Sequence, residues 1–448
     1  GTYLIDAAFS GDGTTYNPST SNPVSIQVTP ANAAAVLAAS TVVSLGSSTT
    51  FTTTLTPSVS GAGIAGLSGR VVYSVSINGA TPTVIGMVPV TLGGVNTYRA
   101  SLNYTAPVTG NYTVSAAYTG DSNFSSTIAP LDFRVNRVVI QRFYAIAPAV
   151  GSTIQLFSTA TNTQMTVIRP LGAAYTGGFR VCTTGDVTGD GIADLVYTAR
   201  TTSFVRIVDG RTLNPLGGFY AYSTNYPNPV NIATGDVNGD LRDDIIVAPG
   251  GTGFAPVVKV FNAASLSQVL WSKTVYASNY LGGVTVASAD VDNDGRADII
   301  TGPMTSSAAN VRVFSGANGS LLKSFIVSAL GTGYTGGIWV AANVYASGAV
   351  DIVTSANSGA PRVVATDYST LATRANFLAF PATYRGSIRV AMADTNGDGV
   401  KELLVGIGAN GGGPLVARYT QNYQRIDQFF AFGPANGAAS FNGGVFPG

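Results

Sequence analysis

The amino-acid sequence predicts an all-β chain, a β-sandwich followed by a six-bladed β-propeller. Three observations carry that expectation. A short acidic loop recurs five times in the second half at nearly constant spacing. Apolar runs of strand length flank each copy. Before residue 137, apolar and polar positions alternate between Gly, Asn and Pro turns, the mark of half-buried strands.

The first 136 residues are low in charge and rich in Thr, Ser, Val and Ala. Thr50-Phe-Thr-Thr-Thr-Leu55 and Arg70-Val-Val-Tyr-Ser-Val-Ser-Ile77 show the period-two pattern. Gly1-Thr-Tyr-Leu-Ile-Asp-Ala-Ala-Phe-Ser-Gly-Asp12 matches Gly110-Asn-Tyr-Thr-Val-Ser-Ala-Ala-Tyr-Thr-Gly-Asp121 at an offset of 109 residues, the length of one immunoglobulin-sized domain. Residues 29–136 are therefore expected to form a whole sandwich, and residues 1–28 the C-terminal strands of a preceding copy. The shared Tyr-x-Val/Ile-x-Ala-x-Tyr/Phe pattern with its Gly-Asp resembles the last strands of Ig-like repeats in bacterial surface proteins. The cysteine–tryptophan core of antibody domains is absent, because Cys182, Trp271 and Trp339 all lie further on. On this reading the chain starts inside a domain and is a piece of a longer polypeptide. Alternatively, strands from 1–28 add to a neighbouring molecule's sheet.

Four well-kept acidic loops span 186–194, 236–244, 290–298 and 394–402, and a decayed copy spans 343–351. Position 1 is Asp186, Asp236, Asp290 or Asp394, and position 3 is Thr188, Asn238, Asp292 or Asn396. Position 5 is Asp190, Asp240, Asp294 or Asp398, and position 9 is Asp194, Asp244, Asp298 or Glu402. A tight loop turns these oxygens, with the position-7 carbonyl of Ile192, Arg242, Arg296 or Val400, towards one point. Hard oxygen ligands so gathered suit Ca2+ or a similar divalent ion, as at the start of an EF-hand loop. Two carboxylates about 4 Å apart repel by roughly 4 kcal/mol at an effective dielectric near 20. Of the chain's 22 acidic residues, 15 fall in the five windows, a concentration that turn preference alone does not give. About four calcium sites are expected. Leu241 replaces the position-6 glycine in the second loop and is expected to strain its turn. The decayed copy keeps only Asn343, Ser347 and Asp351 as side-chain oxygen donors, so it is expected to be empty or weak.

First residues of the loops are spaced by 50, 54, 53 and 51, the period of a propeller or array. An apolar strand follows each loop, from Leu195-Val-Tyr-Thr-Ala199 to Leu403-Leu-Val-Gly406. A strand that often opens on paired glycines precedes it, as in Gly282-Gly-Val-Thr-Val286. Two more strands separate successive loops, giving the four of a propeller blade. The chain ends supply one blade more. Arg142–Pro148 and Ser152–Phe157 match the strands after a loop, and Gly443–Gly448 matches the strand before one. Pairing of Val138–Ala147 with Gly443–Gly448 is expected to close the ring and leave no long edge strand.

These loops, each followed by an apolar strand, resemble FG-GAP/VCBS propeller repeats, shared by integrin α-subunits and many bacterial surface proteins. The resemblance covers residues 137–448. It implies calcium at the matching loop positions and no common catalytic activity.

Composition narrows the function. No apolar run approaches the 18 or so residues of a membrane helix. A net charge of +1 without a basic stripe argues against nucleic acid and against electrostatic membrane contact. The absence of histidine removes Ser–His and Cys–His catalysis and imidazole-ligated metals. Carboxylate-based glycoside hydrolysis would need free acids, and those outside the loops, such as Asp209, Asp367 and Asp427, read as turn or surface residues. Cys182 is expected to be a buried small hydrophobe. The leading expectation is a non-enzymatic extracellular or cell-surface protein, a surface-layer, appendage or adhesin component whose partners are its own copies or other surface proteins. The alternative is a carbohydrate- or protein-binding module, with the aromatics of Phe219-Tyr-Ala-Tyr222 and Tyr226 either stacking on sugars or packing between blades. A hydrolase is the third reading.

Overall fold

The computed structural model describes residues 2–58, 66–121, 123–408, 413–432 and 443–448. The chain divides into two compact units, Gly1–Asn136 and Arg137–Gly448.

In the first unit, two five-stranded sheets share one apolar core. One sheet runs Thr91–Gly94, Thr97–Thr105, Ser48–Pro57, Ala31–Ala38, Phe124–Ser125. The other runs Val42–Ser44, Leu131–Asn136, Gly110–Tyr118, Arg70–Ile77, Thr83–Pro89. Period-two sequence becomes period-two burial: in Ser48–Pro57, Phe51 and Leu55 are fully buried while Thr50 and Thr56 face out. Each such apolar side chain contributes about 1.5–3 kcal/mol. Tyr73 crosses the core, and its hydroxyl lies 2.6 Å from the Ala100 carbonyl and 2.9 Å from Thr53 Oγ1 on the facing sheet.

The strands Thr2–Ile5 and Val24–Gln27 pair Tyr3 with Ile26 and Ile5 with Val24. The sandwich pairs Tyr112 with Phe133 and Val114 with Leu131 in the same register. The turns match as well. Gly11 and Gly120 take φ of 80° and 75°, and Asp12, like Asp121, accepts the next backbone N–H groups on one carboxylate oxygen. Burial differs. Tyr112, Val114 and Phe133 are at most 3% exposed, whereas Tyr3, Ile5 and Ile26 are 58%, 54% and 42% exposed.

Among its described residues the second unit contains six separate four-stranded antiparallel sheets, none closed on itself. Five are contiguous in sequence, beginning with the strands Phe179–Cys182, Val230–Gly235, Val284–Ala289, Ile338–Val344 and Ile388–Ala393. The sixth is assembled from both ends, with Val445–Pro447 beside Phe143–Pro148, then Ile154–Ser158 and Gln164–Ile168. First strands of successive sheets pack on one another in order, and Val445–Pro447 packs on both Ile388–Ala393 and Phe179–Cys182. Six apolar clusters each join two neighbouring sheets, the last linking Tyr144 and Ile146 to Leu404 and Val416. This is a β-propeller. Second strands are buried on both faces, which is why Leu195–Ala199 and Asp244–Pro249 read as near-continuous apolar runs. Fourth strands such as Pro215–Tyr220 are largely exposed.

At the junction of the two ends, Ile146 pairs with Pro447, Ala147 with Phe446 and Pro148 with Val445. The strand starts at Phe143 rather than Val138. Ile140 forms only an isolated bridge to Ile192, and Gln141 turns its amide to the Phe143 carbonyl and Thr183. Cys182 is only half-buried rather than fully so, with its sulfur 3.4 Å from Thr234 Oγ1.

Candidate metal centre

Each acidic loop joins the first and second strands of its sheet, so the five loops stand at equivalent corners. The sixth sheet takes those two strands from opposite ends of the chain and has no such loop.

The four well-kept loops share one hydrogen-bond scheme. Position-1 carboxylates turn inward and accept loop N–H groups: Asp186 from Gly189 and Gly191 at 2.6 and 2.7 Å, Asp236 from Gly239 and Leu241 at 2.7 and 2.9 Å, Asp394 from Gly397 and Gly399 at 2.6 and 2.9 Å. Asp290 accepts from Gly295 at 3.1 Å. Position-5 carboxylates accept the position-7 N–H, from Ile192, Arg242 and Arg296 at 2.9 Å and Val400 at 2.7 Å. Two left-handed residues make the turn. Position 6 has φ of 84° at Gly191, 90° at Gly295, 81° at Gly399 and 69° at Leu241, and position 4 is Gly189, Gly239, Asn293 or Gly397. Only the position-6 requirement is read from the sequence above; the Gly or Asn at position 4 carries the same signal.

Position 9 works as a brace. Asp194, Asp244 and Asp298 are buried, and each holds a position-2 or position-3 N–H on one oxygen and an N–H from beyond the third strand on the other. For Asp298 these donors are Val291 at 2.9 Å and Gly316 at 3.0 Å. Burial pushes the Asp298 carboxyl up to about 7, and the neighbouring Asp292 and Asp290 add to the shift. Asp244 is likewise raised to about 7 by burial, then by Asp240 and Asp236.

What stands among the carboxylates differs from loop to loop. In the first loop Arg137 Nη2 lies 2.7 Å from Asp186 Oδ2 and Arg211 Nε lies 2.8 Å from Asp190 Oδ2. In the second and fifth, an asparagine amide donates to the position-5 carboxylate, Asn238 to Asp240 at 3.1 Å and Asn396 to Asp398 at 3.0 Å. In the third, Asp290, Asp292 and Asp294 bring one carboxylate oxygen each within 4.8 Å of the others, the one such acidic group among the described residues. At that separation each pair repels by roughly 3 kcal/mol at an effective dielectric near 20. This donor set fits a divalent cation, with Asp290, Asp292 and Asp294 as the side chains that would hold it.

The fourth copy has become a tight turn between strands paired from Ile338↔Ala356 to Val344↔Val350. Asn343 and Asp351 face each other in the ladder, and Asn343 donates to the Gln421 carbonyl. Asp351 accepts from the Tyr345 and Tyr423 hydroxyls, both at 2.8 Å, and forms an ion pair with Arg374.

Spacing within the loops did not reveal Arg137, Arg211 or Asp243. Asp243, at position 8 of the second loop, accepts the Asp186 N–H at 2.7 Å and pairs with Arg137 at 3.1 Å. Its own N–H bonds the Asp186 carbonyl, just as Ala297 N–H bonds that of Asp236, so successive loops are laced together.

Of the acids outside the loops, Asp209 and Asp367 cap turns through their carboxylates and Asp427 pairs with Arg418. Among the aromatics weighed as a sugar platform, Phe219 packs on Phe261 and Tyr226 on Tyr222 and Phe254, while Tyr220 is 47% exposed.

Neither protein-family models nor curated proteins give a match to the chain. Solved structures do. One is a protein of unknown function from Bacteroides caccae, at 10% identity and a TM-score of 0.41, covering 68% of this chain and 98% of that one. Another is an auxiliary nutrient binding protein from Bacteroides thetaiotaomicron, at 10% identity and a TM-score of 0.36, covering 89% and 85%. The Dos1 propeller aligns at 10% identity and a TM-score of 0.39, covering 81% and 84%.

Proposed function

We propose that this is a non-enzymatic, extracellular structural or assembly protein of the bacterial cell surface, built from Ig-like repeats and an FG-GAP/VCBS propeller braced by calcium. The use the chain makes of its acids carries this reading. Fifteen of its 22 acidic residues lie in loops that join and lace the blades, where they hold backbone N–H groups, arginines and one another. Such residues set shape and rigidity rather than turn over a substrate. Calcium is held most strongly at Asp290, Asp292 and Asp294, whose carboxylate oxygens lie within 4.8 Å of one another, and more weakly in the other three intact loops. The hairpin of residues 2–27 repeats the terminal hairpin of the sandwich, which supports tandem Ig-like repeats in a rod, with copies of itself or other surface proteins as partners.

Electron microscopy of the native surface and of purified protein, with and without chelator, tests the reading. Ordered arrays or filaments that disperse on chelation are expected. Glycan binding by a soluble monomer that forms no assembly would replace it with a carbohydrate-binding module.

A further inference from the structure

The innermost strands of the six blades place one residue each in a single layer around the propeller axis: Arg180, Asn231, Thr285, Trp339, Arg389 and Phe446. Each follows the fully buried first residue of its pairing register, Phe179, Val230, Val284, Ile338, Ile388 or Val445. The layer holds two arginines and no acid. Arg180 and Arg389 are 5% and 7% exposed and line a cavity of 130 Å³ together with Asn231, Trp339 and Phe446. A third arginine, Arg200, stands behind Phe446. The three guanidinium carbons lie 5.2, 3.6 and 5.8 Å from the Phe446 ring centroid for Arg180, Arg389 and Arg200 respectively.

Guanidinium stays charged under all ordinary conditions, and buried charges are normally paired. Here they are not. All 22 acidic residues lie in described segments, yet no carboxylate pairs with Arg180, Arg200 or Arg389. Arg180 donates to the Gly250 carbonyl and Arg389 to the Val445 carbonyl, both at 2.7 Å. Arg180 Nε and Nη1, Arg200 Nε and Arg389 Nε are buried without a hydrogen-bond partner. Phe446 and Trp339 give both guanidiniums cation–π contacts, which answer none of these N–H groups. The unpartnered donors match the oxygens of a carboxylate, sulfate or phosphate. The cavity is many times the roughly 10–15 Å³ that one water needs, and well below the roughly 300 Å³ at which pockets for larger ligands begin.

We propose that the axial cavity is a binding site for a small oxyanion, held between the Arg180 and Arg389 guanidiniums with Arg200 adding its field. Both arginines stand on innermost strands rather than on the acidic loops, and Lys401 of the fifth loop lines the same cavity.

The test is the melting temperature of the full 448-residue chain in calcium-containing buffer, titrated with sodium sulfate or sodium acetate against sodium chloride of equal ionic strength. Sulfate stands in for tetrahedral oxyanions and acetate for carboxylates. A saturable rise of about 3 °C or more beyond chloride is expected for at least one of them. Saturation at millimolar concentration separates it from the general stabilisation that sulfate gives every fold. Arg180→Met and Arg389→Met should abolish the rise. Arg389→Lys, which keeps a charge but loses the fork, should weaken the apparent affinity at least tenfold and serves if the Met variants fail to fold. A response to sulfate alone or to acetate alone supports the site and identifies its oxyanion. Equal shifts with chloride, or a rise undiminished in the folded variants, would overturn the proposal.

Discussion

Arg374 Nε stands 2.7 Å from Asp351 Oδ1, an ion pair at the ninth position of the one acidic loop that has lost its other carboxylates. In the third loop the equivalent Asp298 faces Asp290 and Asp292 instead, and its carboxyl is raised chiefly by burial and then by their charge. The chain thus answers the same buried carboxylate in two ways, with a guanidinium and two tyrosine hydroxyls in one blade and with backbone N–H groups beside an acidic cluster in another.

The two loops should therefore part company when calcium is removed. Asp292→Asn is expected to cost little in chelator and to lose much of the calcium-dependent gain in melting temperature. Asp351→Asn should cost about 1–3 kcal/mol with or without calcium, because it breaks buried partners of Arg374 and Tyr423. Thermal melts of both variants in calcium and in chelator give the comparison. Equal loss of the calcium increment in both would contradict it. In the parent chain, chelation is expected to lower the propeller's melting temperature and leave that of the sandwich nearly unchanged.

Tyr280 lies over Gly282, where an added Cβ would stand 2.6 Å from the phenol oxygen. That oxygen is 2.9 and 2.8 Å from the Gly283 and Thr305 carbonyls and accepts the Thr305 N–H at 3.2 Å. Gly282→Ala is expected to destabilise by about 1–3 kcal/mol through overpacking, and Tyr280→Phe by about 1 kcal/mol through the lost hydroxyl. The two share one contact, so Tyr280→Ala with Gly282→Ala should cost less than the sum of the single changes. Urea unfolding of Gly282→Ala, Tyr280→Ala and the double variant measures the coupling; strict additivity would leave the Thr305 carbonyl, also 2.6 Å from the added Cβ, as the reason for the glycine.

The paired glycines show how far the sequence could be read. Their place before three of the five loops was legible, and so was the blade period, because strand spacing and loop chemistry are local. Their cause was not. Tyr175, Tyr334 and Tyr384 sit on Gly177, Gly336 and Gly386 in the same way, a Tyr-x-Gly signal open to view but silent without the turn that folds the ring back. The arginines were illegible for another reason. Arg137 reaches Asp186 and Asp243 across 49 and 106 residues of chain, and Arg180 and Arg389 share Phe446 only because the ring closes. Contacts that depend on closure leave no spacing in the sequence.

Leu241 adopts φ of 69° where its counterparts are glycines. A non-glycine residue held there costs about 1–2 kcal/mol. Glycine would remove that strain but lose about 0.5–1 kcal/mol of chain entropy. Leu241→Gly is thus expected to stabilise the propeller slightly, by up to about 1 kcal/mol, and to leave the Asp236 hydrogen bonds intact. Gly191→Leu, the reverse change in the first loop at φ of 84°, should destabilise. Chemical denaturation midpoints of the two variants must move in opposite directions for the argument to hold.

Asp367 gives the chain a defined acid response. Its carboxylate accepts the Thr370 N–H at 2.8 Å, the Ser369 and Thr370 hydroxyls at 2.8 and 2.9 Å, and a contact from Arg374. The Thr370 N–H first, then the hydroxyls and the guanidinium, hold the carboxyl well below its ordinary value against the opposing effect of burial. A carboxyl depressed on folding stabilises the fold above its unfolded pKa, near 3.9, and that contribution is lost as pH falls towards the folded value. Asp367→Asn is therefore expected to cost about 1–2 kcal/mol at pH 6, since it weakens charge-assisted hydrogen bonds and an ion pair. At pH 3 the difference from the parent chain should narrow, because part of the parent's advantage has already been titrated away. Urea midpoints of both chains at pH 6 and pH 3 decide it: a gap that stays constant or widens on acidification would show that Asp367 acts through its shape and not its charge.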